Sequence, residues 1–287
     1  MLAAILAAAL AGVAAISADF NTPFRPVVSL TRGSNTSTVV YRGQTNFQYI
    51  LYGSSNATIW SSLMTNLCTS SSMSFSETNR PIRFYRAVSL KTPLLYQCTF
   101  SGIENGEFMV FVRTNDTIAL VGYNSGIQGI FANALSVDTN GRYCGTIFPN
   151  RTGCLMFTSN AVSGTLSNGT VRTATVSGSL KSSSGPFQGA AGLYSGTLSL
   201  DCNGTIKAIL ASDGTLFLYA TTSSGVTEGG TVPVNSNGSF SVATYRNAHY
   251  TGALSLAQRV MSGTFTHGCD DGNGTGPFSA SRSEKLF

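Results

Sequence analysis

Four short segments recur in the same order at nearly constant spacing, and this tandem duplication restricts the fold more than any other feature of the chain. Leu95-Tyr96-Gln97-Cys98-Thr99-Phe100 corresponds to Leu193-Tyr194-Ser195-Gly196-Thr197-Leu198 at a spacing of 98 residues. Asn115-Asp116-Thr117-Ile118-Ala119-Leu120 corresponds to Asp213-Gly214-Thr215-Leu216-Phe217-Leu218 at the same spacing. Asn140-Gly141-Arg142-Tyr143 matches Asn237-Gly238-Ser239-Phe240 at 97, and Ser163-Gly164-Thr165-Leu166 matches Ser262-Gly263-Thr264-Phe265 at 99. A collinear set of this kind marks an internal repeat, each copy being one supersecondary unit.

The second copy is the easier one to read. Leu193–Leu198, Thr205–Leu210, Thr215–Tyr219, Ser239–Tyr245, Tyr250–Leu256, Val260–Phe265 and Pro277–Ser281 are short runs rich in β-branched and aromatic residues. Asn203-Gly204, Asp213-Gly214 and Asn237-Gly238 punctuate them. Such dipeptides suit type I′ turns, with positive φ at both central positions. The connections are too short for crossover helices, so sequential strands are expected to pair as an antiparallel meander of seven or eight strands. Closure into a small up-and-down barrel or folding into a sandwich would each remove exposed edges.

The fold class read from the sequence is therefore all-β: an N-terminal β-sandwich followed by two tandem antiparallel β-meander units, small barrels or sandwiches. The predicted organisation is a signal-like apolar segment over 1–18, a β-sandwich module over 19–92, and meander repeats over 93–190 and 191–287. Pro93 marks one boundary, and Ser182-Ser183-Ser184-Gly185-Pro186 lies near the join of the repeats.

The first 18 residues form an apolar run ending in small residues, read as a secretory signal with cleavage after Ser17 or Ala18, although no Lys or Arg precedes it. It is short for a spanning helix, and no second apolar run follows, so no membrane span is expected after signal removal. Charged residues make up only 10% of the chain, and a surface of hydroxyl and amide groups suits a secreted or cell-surface protein. The basic residues are scattered apart from a mild cluster between Arg80 and Lys91, which argues against nucleic acid as a partner. In an exported chain the six cysteines imply disulfides. Cys144 and Cys154 flank Pro149-Asn150-Arg151-Thr152, where a hairpin would set them opposite each other. Cys202 with Cys269, and Cys68 with Cys98, follow by elimination.

Between about residues 20 and 92 the pattern changes. Asn56, Trp60 and Leu63 follow the strand Tyr49-Ile50-Leu51-Tyr52; Phe75 and Glu77 come next, and Arg83-Phe84-Tyr85-Arg86 closes the segment. This arrangement resembles a small β-sandwich module of large secreted bacterial repeat proteins, marked by Asn…Trp…Leu, Phe-x-Asp and a final Arg-Phe-Tyr-Arg strand. The resemblance covers about a quarter of the chain, with Glu77 in place of the usual Asp. It implies an accessory role at the cell exterior and brings no catalytic residues with it.

Candidate sites are sparse. His249 and His267 lack a nucleophile elbow or metal-ligand spacing around them, and Glu104 with Glu107, or Asp270 with Asp271, read as solvated turn charges. Asp271, Asn273 and Thr275 alternate like the start of a calcium loop, but the twelfth position is Arg282 where a bidentate Glu belongs. Trp60, Tyr49 and Tyr52, with Tyr41 and Phe47 nearby, form an aromatic cluster suited to stacking on sugars. Eight sequons, at Asn35, Asn56, Asn115, Asn150, Asn168, Asn203, Asn237 and Asn273, offer glycan acceptor positions, although half are also Asn-Gly turns. Phe287 ends the chain as in outer-membrane barrels, without the lipid-facing alternation such a barrel needs. No cofactor and no catalytic residue are expected. The reading is a non-enzymatic extracellular structural or adhesive protein, built of modules stacked end to end and self-associating into a layer or fibre. Its expected partners are further copies of itself or other surface components. The alternative is a carbohydrate-binding protein with glycans as its partners.

Overall fold

The computed structural model describes residues 27–43, 48–68, 70, 72–79, 83–90, 92–124, 129–138, 140–148, 151–199, 203–244, 248–268 and 273–286. The signal-like segment, Phe47, Asn150, Cys202, Cys269, Asp270, Asp271 and Phe287 lie outside them.

The N-terminal strands are β1 (Val27–Arg32), β2 (Thr36–Arg42), β3 (Gln48–Ser54), β4 (Ser61–Leu67), β5 (Ser72–Thr78) and β6 (Phe84–Leu90). They form two antiparallel three-stranded sheets, ordered β1-β2-β5 and β4-β3-β6. Val39 and Tyr41 from one sheet and Tyr49 and Leu51 from the other are fully buried, as period-two alternation across facing sheets requires. Glu77 on β5 fastens the two sheets together. Its Oε1 accepts from Arg83 Nε at 2.9 Å and from the Tyr85 hydroxyl at 2.6 Å, both from the opposite sheet side. Glu77 thus has a definite structural part in the sandwich.

The first repeat comprises β7 (Leu94–Gly102), β8 (Gly106–Val112), β9 (Thr117–Asn124), β10 (Gly129–Ser136), β11 (Arg142–Phe148), β12 (Arg151–Phe157), β13 (Ala161–Asn168) and β14 (Val171–Leu180). The second comprises β15 (Gly192–Leu198), β16 (Gly204–Leu210), β17 (Thr215–Thr222), β18 (Thr227–Pro233), β19 (Ser239–Ala243), β20 (His249–Ser255), β21 (Val260–Gly268) and β22 (Asn273–Lys285). The sheet orders, β10-β9-β8-β7-β14-β13-β12-β11 and β18-β17-β16-β15-β22-β21-β20-β19, are identical in pattern. First and last strands pair, so each copy is an up-and-down eight-stranded barrel, nearly closed, with its seam between the fourth and fifth strands. Thr227–Pro233, with its Gly-Gly pair, is the strand of the second copy that β-propensity does not reveal.

The turns differ from the type I′ expectation. At Asp213-Gly214 and Asn237-Gly238 only the glycine has positive φ, 93° and 87°. Gly214 N bonds Ala211 O and Ala211 N bonds Thr215 O; Gly238 and Asn235 repeat the pattern with Asn235 O and Ser239 O. These are three-residue turns, a type I turn followed by one left-handed residue. The first copy places Asp116 (φ 63°) and Gly141 (φ 80°) at the same two positions. At each site the left-handed residue's carbonyl accepts an amide from beyond the turn: Gly214 O from Val234, Gly238 O from Leu254, Asp116 O from Val137 and Gly141 O from Phe157.

Each barrel interior is filled by its own side chains, as an eight-stranded wall allows. Tyr96, Phe108, Leu120, Phe157 and Leu166 pack within the first, in one cluster with the sandwich core; Tyr194, Leu218, Phe240, Tyr250 and Phe278 fill the second. A third cluster lies between the barrels. Leu95, Met109, Phe111, Ala119 and Val121 point outward from the first wall and pack on Ala191, Leu193, Ile209, Ala211, Phe217 and Leu286. Leu95 and Leu193, Phe111 and Ile209, and Ala119 and Phe217 are equivalent positions of the two copies. The repeats therefore pack wall to wall through the same strands, which corrects the end-to-end stacking expected from sequence. Tyr123 lies 6.2 Å from Phe217, and Phe131 stacks on Tyr219 at 5.6 Å between ring centres. Arg113 forks onto Glu284 with bonds of 2.5 and 2.7 Å, and Lys181 pairs with Asp213.

Cys144 and Cys154 form the expected disulfide across β11 and β12, with Cα atoms 4.1 Å apart. Cys68 and Cys98 do not pair. Both are free thiols buried in the core, and burial pushes each thiol above its ordinary pKa. Elimination failed because it took every cysteine to be oxidised, whereas these two serve as small apolar fillers.

Candidate functional site

The outward face of the β4-β3-β6 sheet combines exposed apolar side chains with a stacked cation. Along β6 the exposed side chains are Phe84, Arg86 and Val88, while Tyr85 and Ala87 turn inward to the core. Register places Tyr52 beside Arg86 and Ile50 beside Val88. Phe84 and Val88 remain 44% and 39% exposed, and Ile59 in the neighbouring loop 74%, so the face is apolar around one cation.

The loop between β3 and β4 carries Trp60 over this face. Ala57 adopts φ 61°, and the Asn56 carboxamide oxygen accepts from Thr58 N at 3.0 Å and Ile59 N at 2.9 Å. The indole N–H of Trp60 donates to Ala57 O at 3.1 Å. The β3–β4 register shifts between Leu51 and Tyr52, leaving Leu63 as the extra residue of a bulge. Bulges of this kind re-aim the neighbouring chain. The Asn…Trp…Leu motif thus has a physical basis: Asn56 ties the loop, Trp60 is held by it, and Leu63 forms the bulge and packs on the core.

The Arg86 guanidinium carbon sits 4.5 Å from the Trp60 ring centre and 5.0 Å from that of Tyr52. Stacking on two rings fixes the guanidinium by cation–π attraction. Among the described residues no carboxylate pairs with it. Tyr49, by contrast, is fully buried and meets Tyr41 edge-on at 6.4 Å. Of the three aromatic residues proposed for sugar stacking, Tyr49 is therefore core. Tyr52 and Trp60 offer their faces to Arg86 rather than to solvent. Sequence reasoning missed Arg86 because the cation comes from β6, 26 residues beyond Trp60 in the chain.

The charge distribution reinforces this surface. Residues 19–92 contain seven Lys and Arg against two Asp and Glu, and residues 93–287 contain ten of each. The whole net charge of +5 therefore belongs to the N-terminal module, while the barrels are neutral.

The remaining candidates fare differently. Asn273 to Lys285 is a continuous strand, and Thr275 pairs with Thr266 within it. Asn273 and Thr275 thus belong to a strand paired with β21, and Asp271, the first residue of the proposed loop, lies outside the described residues. Among the described residues no group of three or more His, Cys, Asp or Glu side chains is arranged to hold a metal. His249 is exposed at the start of β20. Glu228, buried at the wall of the second barrel, accepts from Thr244 at 3.2 Å and Tyr250 at 3.4 Å. The sequon residues Asn35, Asn56, Asn115, Asn168, Asn203 and Asn237 are all exposed, at or beside turns. Asn115 and Asn237 each accept both the amide and the hydroxyl of their own sequon's third residue, Thr117 and Ser239, which is the chemistry of an Asx turn.

No family model, no curated protein and no solved structure matches this chain.

Proposed function

We propose that the chain is a non-enzymatic adhesive protein of the cell exterior, in which the paired barrels support the N-terminal module and the module makes the contact. One observation carries this reading. The barrels turn their outward apolar walls against each other, whereas the β4-β3-β6 sheet leaves Phe84, Val88 and the Arg86 stack exposed. Apolar surface rimmed by polar groups is the usual mark of an interaction site. The filled barrel interiors favour a supporting role over ligand carriage, and the exposed cross-strand disulfide of β11 and β12 suits an oxidising exterior. The resemblance of the module to those of secreted repeat proteins points the same way.

The test is retention of the purified full-length protein on intact cells and on isolated wall or matrix material from its source. Retention abolished by Phe84→Ser with Val88→Ser, in a variant with unchanged circular dichroism, is the expected result. Equal retention of that variant would remove the module from the contact. Sedimentation of the same samples addresses self-association: a concentration-dependent rise in mass supports a layer or fibre subunit, and a fixed monomer mass rejects it.

A further inference from the structure

We infer that the Arg86 stack is a recognition site for an acidic saccharide, a sugar unit bearing a carboxylate or sulfate group; this inference rests on the adhesive reading above and names its partner. A flat aromatic face exposed to water would bind neutral sugars by stacking. Here both rings are already covered by the guanidinium, at 4.5 and 5.0 Å from their centres. What this face offers a ligand is a planar cation whose orientation is fixed before binding. A guanidinium held in one plane presents paired N–H donors that match a carboxylate or sulfate in a bidentate way. Its side-chain entropy is already spent on stacking, which lowers the cost of binding.

Three further observations specify an anion. Arg86 has no carboxylate partner among the described residues, unlike Arg83, Arg113 and Arg151, each paired with a Glu. The module holds the protein's entire positive excess, so the field around the site attracts polyanions. The flanks at Phe84, Val88 and Ile59 are apolar and exposed, suited to the C–H faces of a pyranose ring beside its charged group. An isolated inorganic anion would leave those flanks unused, and a nucleic acid would call for a denser basic stripe than this face carries.

The experiment uses the full-length protein in affinity electrophoresis and calorimetry against polygalacturonate, dextran sulfate, neutral dextran and polyglutamate. Binding to the uronate or the sulfated polymer, with neutral dextran inert, is the expected outcome; the preferred polymer identifies the acid group. Arg86→Gln should weaken binding by about tenfold or more, the scale of one lost charge-assisted bidentate contact. Arg86→Lys, which keeps the charge and loses the planar fork, should also weaken it. Arg42→Gln, the same charge change on the outer face of the other sheet, should leave affinity within about twofold, as a rim charge away from the contact does. Equal losses for Arg42→Gln and Arg86→Gln would overturn the site in favour of diffuse attraction, as would equal binding of polyglutamate. Binding of neutral dextran as tight as that of the acidic polymers would overturn the acidic specificity. Surface retention that persists without affinity for any saccharide would reject this inference and leave the adhesive reading standing. Loss of retention as well would reject both.

Discussion

Ser241 and Thr251 face each other across β19 and β20 with their hydroxyl oxygens 3.3 Å apart, at the places that Cys144 and Cys154 hold across β11 and β12. The two copies share the backbone register here and differ in what joins it, a disulfide in the first barrel and a hydroxyl pair in the second. Both pairs fasten the strand beside a seam, which has a paired neighbour on one side only.

The disulfide closes a loop with a sequence separation of 10 and ties the seam strand β11 to its neighbour. Replacing both cysteines with Ser should lower stability by roughly 2–3 kcal/mol through the regained freedom of the unfolded chain. Denaturant melts of the double variant against the parent measure the loss. Because the backbones correspond, Ser241→Cys with Thr251→Cys should form a second bridge, seen as a loss of two hydrogens in the intact mass. A fully reduced mass under air oxidation would mean that the equivalence of the two edges is only approximate.

Gly129 and Gly229 allow the barrel walls to touch through their backbones. A Cβ on Gly129 would lie 2.2 Å from Glu228 O, and one on Gly229 would lie 2.7 Å from Gly122 O. Gly129→Val should therefore wedge the walls apart and expose part of the cluster around Phe111 and Phe217. The expected cost is on the order of 1–3 kcal/mol, as for overpacking elsewhere. Hydrogen exchange in β9 and β17 should accelerate while strands within each barrel keep their protection; uniform exchange would show that the wall contact is dispensable.

In the sandwich, Gly53 leaves room for the Arg83 guanidinium, which a Cβ there would meet at 2.7 Å. Gly53→Ala should displace Arg83 from Glu77 and destabilise the module. Glu77→Gln should do so too, since it removes the carboxylate that accepts from both Arg83 and Tyr85. A partly buried pair broken on one side leaves the other charge poorly solvated, a cost of about 1–3 kcal/mol. Loss of near-ultraviolet dichroism at a lower temperature than in the parent is the readout.

Acid should weaken the barrels before alkali does. Hydrogen bonds from Arg151 hold the Glu104 carboxyl below its ordinary pKa, despite partial burial. Burial works against ionisation of Asp213, but Lys181 and the Thr215 amide outweigh it and lower its pKa as well. Carboxyls that ionise more readily in the folded chain add stability that is complete above the normal carboxylate range. That stability disappears as pH falls through their lowered values. Melting temperature followed from pH 7 down to about 3 should decline, and the decline should be shallower in Glu104→Gln. A slope unchanged by that substitution would place the acid sensitivity elsewhere.

Much of the architecture is legible along the chain because it depends on local chemistry. The spacing of Leu95 and Leu193, the turn dipeptides around Asp213 and Asn237, and the β-rich runs such as Leu193–Leu198 are enough to specify two antiparallel meanders in tandem. That each closes into a barrel rather than a sandwich came from the pairing of its first and last strands. The Cys144–Cys154 bridge follows from a hairpin only a few residues long. The contact between the copies also left a trace. Phe108 to Val112 and Leu216 to Leu218 are continuous apolar runs without alternation, as strands buried on both faces must be.

The sequence by itself determined the strand pattern, the duplication and the local disulfide, since backbone geometry and short-range pairing act over a few residues. Only the tertiary structure decided that Tyr49 is core while Tyr52 and Trp60 clasp Arg86, that Cys68 and Cys98 stay reduced, and that the repeats meet wall to wall. Those outcomes depend on which strands become neighbours across a sheet or between barrels. Contacts between residues far apart in the chain follow from the packing of whole faces, and no run of a few residues encodes them.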